Sequence, residues 1–474
     1  MPSMVTRGLQ VAAVSLLGCT LALAPQASFG AAPSARSAAN PNPHVSGYVS
    51  SLGTTIVNVN SDSCAGCHRA HTAQNTMLLP TNGAQSDLCF TCHDGTGATT
   101  DVKTEYVSST PNDPSTASYY KHDATLLTSS HTLATDNEFG GVLNRHVNCT
   151  DCHNPHSTTN TDTALPTNGV AWPISGRMAN ISFVSVDNTT TPYTFTFNGG
   201  IGTGPSYEYQ VCFKCHSSFT TLPTNSSGKP SQDMLDVAAE FDPANVSFHP
   251  IEAAGKNTTA AMANSLAGPS GYKLFTFTTA QTVRCTNCHA DDLYASAATT
   301  AASNLPAHTS TYRGILVQNY QDRLTNLRNQ GYNASNFALC YTCHTDTAFK
   351  NGTTSENNIG NAATNFKQGG NNYHRFHMTQ LTGTGSTTNN SIDSSGAGGG
   401  SAMCAECHFR PHSTESPVTA QASNKRLVNF APNVQPNSFS APRWTVNTGN
   451  NTVSCDLVCH GQTHDSGMSY TWTP

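Results

Sequence analysis

Seven times in this 474-residue chain two cysteines stand two residues apart with a histidine directly after the second: Cys64/Cys67/His68, Cys89/Cys92/His93, Cys149/Cys152/His153, Cys212/Cys215/His216, Cys285/Cys288/His289, Cys340/Cys343/His344 and Cys404/Cys407/His408. An eighth copy, Cys455/Cys459/His460, holds three residues between its cysteines. The chemistry that asks for two thiols and an imidazole at this spacing is covalent attachment of haem c. The thiols add to two vinyl groups as thioethers, and the imidazole becomes an axial ligand of the iron. A zinc site needs four N or S ligands, and a disulfide scaffold gives no reason for a histidine after every pair. Sixteen of the 17 cysteines belong to the motifs; Cys19 lies in the N-terminal apolar segment, so no cysteine is left for a structural disulfide in the mature chain.

Eight of the 20 histidines are proximal, which leaves twelve for the opposite faces of the irons. The first choices are His71, His131, His146, His156, His249, His374, His412 and His464, followed by His44, His122, His308 and His377. His71 and His156 lie three residues after a proximal histidine; His412 and His464 lie four after one. On a helical turn such a pair shares a face at different heights, so both rings cannot ligate one iron from opposite sides. The second ring is therefore expected on a neighbouring haem. No histidine follows His289 closely, so its module must draw on a more distant one, with His308 as the candidate. His44, beside Pro43, reads equally as a ligand or as a solvent-exposed residue. Histidines sufficient to close eight irons on both faces favour electron transfer, because catalysis at haem needs an open distal position. No Cys-x-x-Cys-Lys motif occurs.

The elements that must position these groups look sparse. The expected fold class is mostly irregular loop with short helices and a few short strands, built around a chain of stacked haems in place of a large side-chain core. The motifs come in pairs, and the pairing divides the chain into a signal peptide (1–30) and four two-haem modules (31–140, 141–260, 261–380 and 381–474). First members carry small or polar residues between the cysteines, as in Cys149-Thr-Asp-Cys152; second members of the first three pairs carry an aromatic, Phe90, Phe213 or Tyr341, and the fourth departs from this. A short helical turn is expected under each motif. Alternation predicts strands over 193–197, turned by Gly199-Gly200, and over 274–277. Apolar periodicity predicts helices over 312–330, ended by Gly331, and over 232–241. The Gly/Ser/Thr/Asn-rich stretch 382–401 reads as a linker.

Only 11% of the chain is charged and 36% hydrophobic, a thin supply for an ordinary core. The net charge of −6 offers no basic footprint for nucleic acid. Arg7 followed by an apolar run from Val11 to Ala24 reads as an export signal cleaved before Ala31, and no later stretch is long and apolar enough to span a bilayer. Leu16-Leu17-Gly18-Cys19 also resembles a lipobox, an alternative in which Cys19 would be the lipidated N-terminus; the apolar residues after Cys19 argue against it.

The run Cys64-Ala-Gly-Cys67-His68-Arg69-Ala70-His71, followed by Leu88-Cys89-Phe90-Thr91-Cys92-His93, resembles the doubled-CXXCH multihaem cytochromes c, as does His146 to His156. The resemblance covers nearly all of the mature chain, more weakly in the fourth module. It implies eight covalent haems c, mostly bis-histidine irons, and electron transfer in the periplasm or at the cell surface, with other redox proteins or extracellular acceptors as partners. Within that group the chain is similar to extracellular cytochromes of metal-reducing bacteria, some of which polymerise into filaments. That similarity implies self-association in which His44 ligates a haem of an adjacent subunit. The three-residue spacing of Cys455/Cys459/His460 departs from the family pattern. The competing function is reduction of a small oxyanion such as nitrite or tetrathionate, which requires an iron with one open position.

Overall fold

A computed structural model describes residue 44 and, with short gaps, residues 67–107, 120–125, 147–222, 236–297, 304–321, 332–350, 366–379, 402–414, 425–447, 452–459, 462–465 and 469–471. Most of this is loop, interrupted by short helices and small sheets, as the sequence leads one to expect. The described α-helices are α1 (Gln85–Cys89), α2 (Val102–Val107), α3 (Glu208–His216), α4 (Val237–Phe241), α5 (Ala260–Ala267), α6 (Ala338–Tyr341), α7 (Thr347–Lys350), α8 (Tyr373–Thr379) and α9 (Cys404–Cys407). Local chemistry starts them: Gln210 accepts from the Tyr207 N–H at 3.1 Å ahead of α3, and Asp236 caps the Ala238 N–H of α4 at 3.2 Å. Among the described residues no helix is long and apolar enough to cross a membrane.

The sheets are two-stranded, except at the C-terminus. Strands β1 (Tyr120–Lys121) and β4 (Thr309–Ser310) pair across a long sequence gap. Strands β2 (Phe183–Asp187) and β3 (Thr194–Asn198) form a hairpin, and β5 (Lys367–Gln368) pairs with β6 (Asn371–Asn372). Strand β8 (Thr452–Cys459) lies between β7 (Arg443–Asn447) and β10 (Ser469–Thr471), and its C-terminal half pairs with β9 (Gln462–His464). The predicted strand over 193–197 is thus present one residue later. Its partner precedes it, so the hairpin reverses between Asp187 and Thr194; Gly200 of the expected Gly199-Gly200 turn lies outside the described residues.

Two other expectations need correction. Residues 274–277 belong to no sheet among the described residues; the Leu274 and Phe275 N–H groups both donate to the Thr342 carbonyl at 3.0 Å, and Phe275 and Phe277 are buried in a core. Residues 312–320 form turns and bridges, not helix, because Gly314 and Ile315 both take the left-handed conformation (φ 77° and 54°) that a helix excludes. The rest of that predicted helix and the 382–401 linker lie outside the described residues. The helix predicted over 232–241 is found as α4, with residues 232–235 outside the description.

Small cores replace one large one. Val184 of β2, Phe213 of α3, and Ala238 and Phe241 of α4 form one of them with Ile251. A second gathers Trp172, Phe275, Phe277 and Val317; there the Trp172 indole N–H donates to the Thr282 carbonyl at 2.7 Å. The aromatic that marks the second motif of each of the first three pairs is an anchor: Phe90, Phe213 and Tyr341 are all buried. Contacts run across the module boundaries drawn from the motif pairing.

Candidate functional site

Each regular motif whose backbone is described from its first cysteine to its histidine closes as one helical turn. The N–H of His93, His153, His289, His344 and His408 donates to the carbonyl of the first cysteine of its own motif at 2.8–3.0 Å. The polar residue of the first-member motifs supports that turn. Asp151, Asn287 and Glu406 accept from the N–H of the residue before the first cysteine, at 2.7, 3.0 and 2.8 Å. Two thiols and an imidazole are thereby brought together by backbone alone. The eighth motif is different: Cys455 and Cys459 lie on strand β8, not on a helical turn.

The attachment sites follow one another in space in the order they have in sequence. The Cys89 thiol is hydrogen-bonded to Cys149, with Cys67 within electrostatic reach. Cys152 lies by Cys212 and Cys215, and Cys212 is hydrogen-bonded to Cys285. Cys288 lies by Cys340 and Cys343, Cys340 by Cys404, and Cys407 by Cys455 and Cys459. No described cysteine is bridged by a disulfide.

The histidines meet in pairs. Ring centroids are 6.3 Å apart for His44 and His93, 6.1 Å for His68 and His156, 6.1 Å for His122 and His216, and 6.1 Å for His153 and His308. They are 5.7 Å apart for His289 and His412, whose Nε2 atoms face each other at 3.5 Å, and 6.3 Å for His377 and His464. His249 lies within electrostatic reach of His344, and His408 within reach of His374. An imidazole nitrogen binds a first-row metal at roughly 2 Å and the ring centre lies about 1.1 Å further, so two rings on opposite sides of one ion stand roughly 6.2 Å apart. Six pairs have that separation, so the residues present fit haem iron with two axial imidazoles.

The Nδ1 atoms point away from these meetings and are held by the protein. His68 donates to the Met77 carbonyl at 2.7 Å, His153 to Arg177 at 2.9 Å, His289 to Gly314 at 2.7 Å and His408 to Leu427 at 2.9 Å. His122 bonds the Ala307 carbonyl at 2.7 Å, His249 that of Pro411, and His344 the Ser265 hydroxyl at 2.7 Å. A proton fixed on Nδ1 leaves the Nε2 lone pair bare for a metal. Burial reinforces this by disfavouring the imidazolium, pulling His153 and His289 down to about 4 and His344 and His374 to about 3.

Two rings differ, because carboxylates receive their Nδ1. His412 bonds Glu240 Oε2 at 2.7 Å and His308 bonds Glu105 Oε2 at 3.1 Å. Burial pulls the His308 pKa down, but the hydrogen bond and charge of Glu105 outweigh it and raise the value. Glu105 also accepts from the Tyr294 hydroxyl at 2.6 Å and faces the buried Asp291.

Backbone strain collects at the carbonyls that receive proximal rings. Non-glycine residues with positive φ include Leu78 (59°), Ile315 (54°), Arg426 (66°) and Leu427 (56°). Each is at, or next to, the carbonyl that holds His68, His289 or His408. Such strain persists where surrounding structure requires it, often at functional sites.

Of the first-choice distal histidines, His156, His249, His374, His412 and His464 each meet another histidine. His71 is exposed, and among the described residues no histidine ring stacks against it. His131, His146 and proximal His460 lie outside the described residues. All four second-choice residues, His44, His122, His308 and His377, have a histidine opposite them. His308 meets His153 instead of His289, whose opposite ring is His412. His44 meets His93 of its own chain and donates to the Pro155 carbonyl at 3.0 Å. Sequence proximity ranks these residues low because their partners come from distant segments; the available signal is that the number of spare histidines exceeds the number of motifs.

No curated protein and no solved structure matches the chain. Residues 57–98 match the family model described as the doubled CXXCH motif; with the motifs repeated down the chain this indicates covalently bound haem c and is consistent with a multihaem c-type cytochrome.

Proposed function

We propose that the chain is an exported octahaem cytochrome c that carries electrons along closely spaced irons, and that it acts as a carrier, not as a reductase of small oxyanions. The observation that carries this reading is the set of histidine pairs at 5.7–6.3 Å, which would occupy both faces of an iron and leave no position for substrate. The assigned axial pairs are His68/His156, His93/His44, His153/His308, His216/His122, His289/His412, His344/His249 and His408/His374, with an eighth pair at the last motif.

When bound, haem c supplies reversible one-electron chemistry at its iron. The chain's residues do the rest. Each pair of thiols fixes one porphyrin edge, and each Nδ1 hydrogen bond fixes the tautomer and rotation of a ring. The contact between thiols of successive motifs supports a linear order of haems from the first motif to the eighth. Glu105 and Glu240 place negative charge behind two axial rings and favour the oxidised iron there.

Electrons would pass to other redox proteins or to extracellular acceptors. Self-association through His44 is not required to complete the pair at His93, because His44 of the same chain stands there. The test is the mature exported protein itself. Intact mass should give eight haems, and electron paramagnetic resonance of the oxidised protein should show low-spin iron throughout. A high-spin iron that binds nitrite would sink the carrier reading in favour of a reductase.

A further inference from the structure

Two junctions, from the second motif to the third and from the fourth to the fifth, are built alike. Four residues before the first cysteine of the second motif stands Gln85, and four before that of the fourth stands Glu208. Each is the first residue of the helix that carries its cysteine, α1 or α3. Residues four apart on a helix share a face, so Gln85 points with Cys89, and Glu208 with Cys212. Both faces meet the same two groups: the first cysteine of the next motif and the threonine after it. Cys89 is hydrogen-bonded to Cys149, and Cys212 to Cys285. The Gln85 Oε1 accepts from the Thr150 N–H at 3.0 Å, and its Nε2 donates to the Thr150 hydroxyl at 3.0 Å. The Glu208 Oε1 accepts from the Thr286 N–H and hydroxyl, both at 3.0 Å, and its Oε2 lies 3.1 Å from that hydroxyl.

Local chemistry explains why a threonine is gripped there. It lies in the short turn Cys149–Asp151 or Cys285–Asn287, whose first N–H groups have no partner within the turn. Asp151 and Asn287 satisfy one of these from inside the motif. Gln85 and Glu208 satisfy another from the motif before. The junction from the sixth motif to the seventh is closed differently. Asn336 and Ala405 hold the equivalent places, and Ala405 has no hydroxyl to grip. There Phe337, Tyr341, Met403 and Ala405 are buried in one apolar cluster.

We propose that Gln85 with Thr150, and Glu208 with Thr286, are positioning pairs that set the approach of two haems across these junctions and so the passage of electrons from one motif pair to the next. The proposal rests on the octahaem carrier reading above. The thiols stand for thioether sulfurs, each of which would hold the edge of its own porphyrin. A sulfur contact alone would let the two turns pivot about one point. The side chain one helical turn away adds a second point of attachment and fixes their angle.

The experiment uses the full exported protein with Gln85→Leu, Gln85→Glu, Thr150→Val and the Gln85→Leu/Thr150→Val double variant. Intact mass of the unsubstituted protein comes first; a count below eight overturns the octahaem reading, and the comparison of variants with their parent still stands. Two further readouts report on haem geometry: the paired positive and negative Soret bands in circular dichroism, which arise from close haems, and the rate at which electrons redistribute after rapid reduction. Gln85→Leu should keep the parent's haem count, lose part of the Soret couplet and slow the redistribution. Gln85→Glu should restore both, because Glu208 already makes these bonds at the other junction. Thr150→Val should alter the couplet in the same direction, and the double variant should do no more than Gln85→Leu alone. A Gln85→Leu protein with the couplet and rate of its parent overturns the proposal, even if its melting temperature falls, as do effects of the two substitutions that simply add. If Gln85→Leu loses a haem, Thr150→Val decides: a full haem count with an unchanged couplet and rate overturns it.

Discussion

Replacing Glu240 by glutamine should raise the reduction potential of a single haem, the one assigned to His289 and His412. Glu240 is 1% exposed, and its Oε2 lies 2.7 Å from the His412 Nδ1. Crossing the imidazole ring and one iron–nitrogen bond puts the iron roughly 7 Å from the carboxylate charge. At an effective dielectric of about 20, a unit charge at that distance is worth about 2.4 kcal/mol. At 59 mV per tenfold change for a one-electron couple, this is about 100 mV. Glutamine keeps an oxygen to accept the Nδ1–H, so the ring stays in place while the charge goes. Spectroelectrochemical titration of wild type and Glu240→Gln, fitted to eight one-electron steps, reads the difference. One step should move upward by about 100 mV and the rest by much less. A carboxylate fully screened by water would give only about 25 mV. If no step moves by more than that, or if the moved step goes down, the carboxylate does not set the potential of this iron.

Other consequences can be checked more briefly. His308→Ala removes the ring opposite His153 and should make one iron high-spin with the haem count unchanged, which mass and electron paramagnetic resonance read together. Leu78→Asn places a residue tolerant of left-handed backbone at φ 59°, on a side chain that is 46% exposed, and should add about 0.5–1 kcal/mol to stability; a lowered melting temperature refutes the strain argument. Burial raises Glu252 to about 8. The folded chain therefore holds a proton there that the unfolded chain has released above its ordinary value of 4.5, so stability is full below pH 4.5 and falls as pH rises towards 8. Glu252→Gln should remove up to about 1.4 kcal/mol per pH unit of that slope, measured by denaturant titration between pH 5 and 8.

The attachment chemistry and the loop-rich fold are legible in the sequence because both are local. A cysteine pair with its histidine needs one turn of backbone, and the aromatics Phe90, Phe213 and Tyr341 announce the buried side of that turn. The polar residues Asp151, Asn287 and Glu406 are visible as a pattern, although their role in holding the preceding N–H is seen only in three dimensions. The distal histidines are less legible. His122 reaches its place because its N–H bonds the His308 carbonyl at 3.0 Å beside the β1–β4 pairing, a contact that no window of sequence contains. Apolar spacing over 312–320 resembles a helix because Ile315 and Val317 are both buried, but they are buried from a tight turn whose carbonyl serves His289. At the eighth motif the inserted residue and the pair Leu457-Val458 are the sequence trace of the strand.

The long reach between paired rings bears on how such a protein is made. His412 follows His289 by 123 residues in the chain. In synthesis from the N-terminus, the fifth attachment site is made long before the ring that the proposed pairing sets opposite it. On the proposed pairs, the irons of His68, His153 and His289 would then wait half-ligated until His156, His308 and His412 arrive, whereas those of His93 and His216 would find His44 and His122 already made. A chain cut after the sixth motif would lack His374, His377, His412 and His464, and would leave an iron such as that of His289 permanently open. The same interlacing that shields the finished wire makes every shortened version of it chemically exposed.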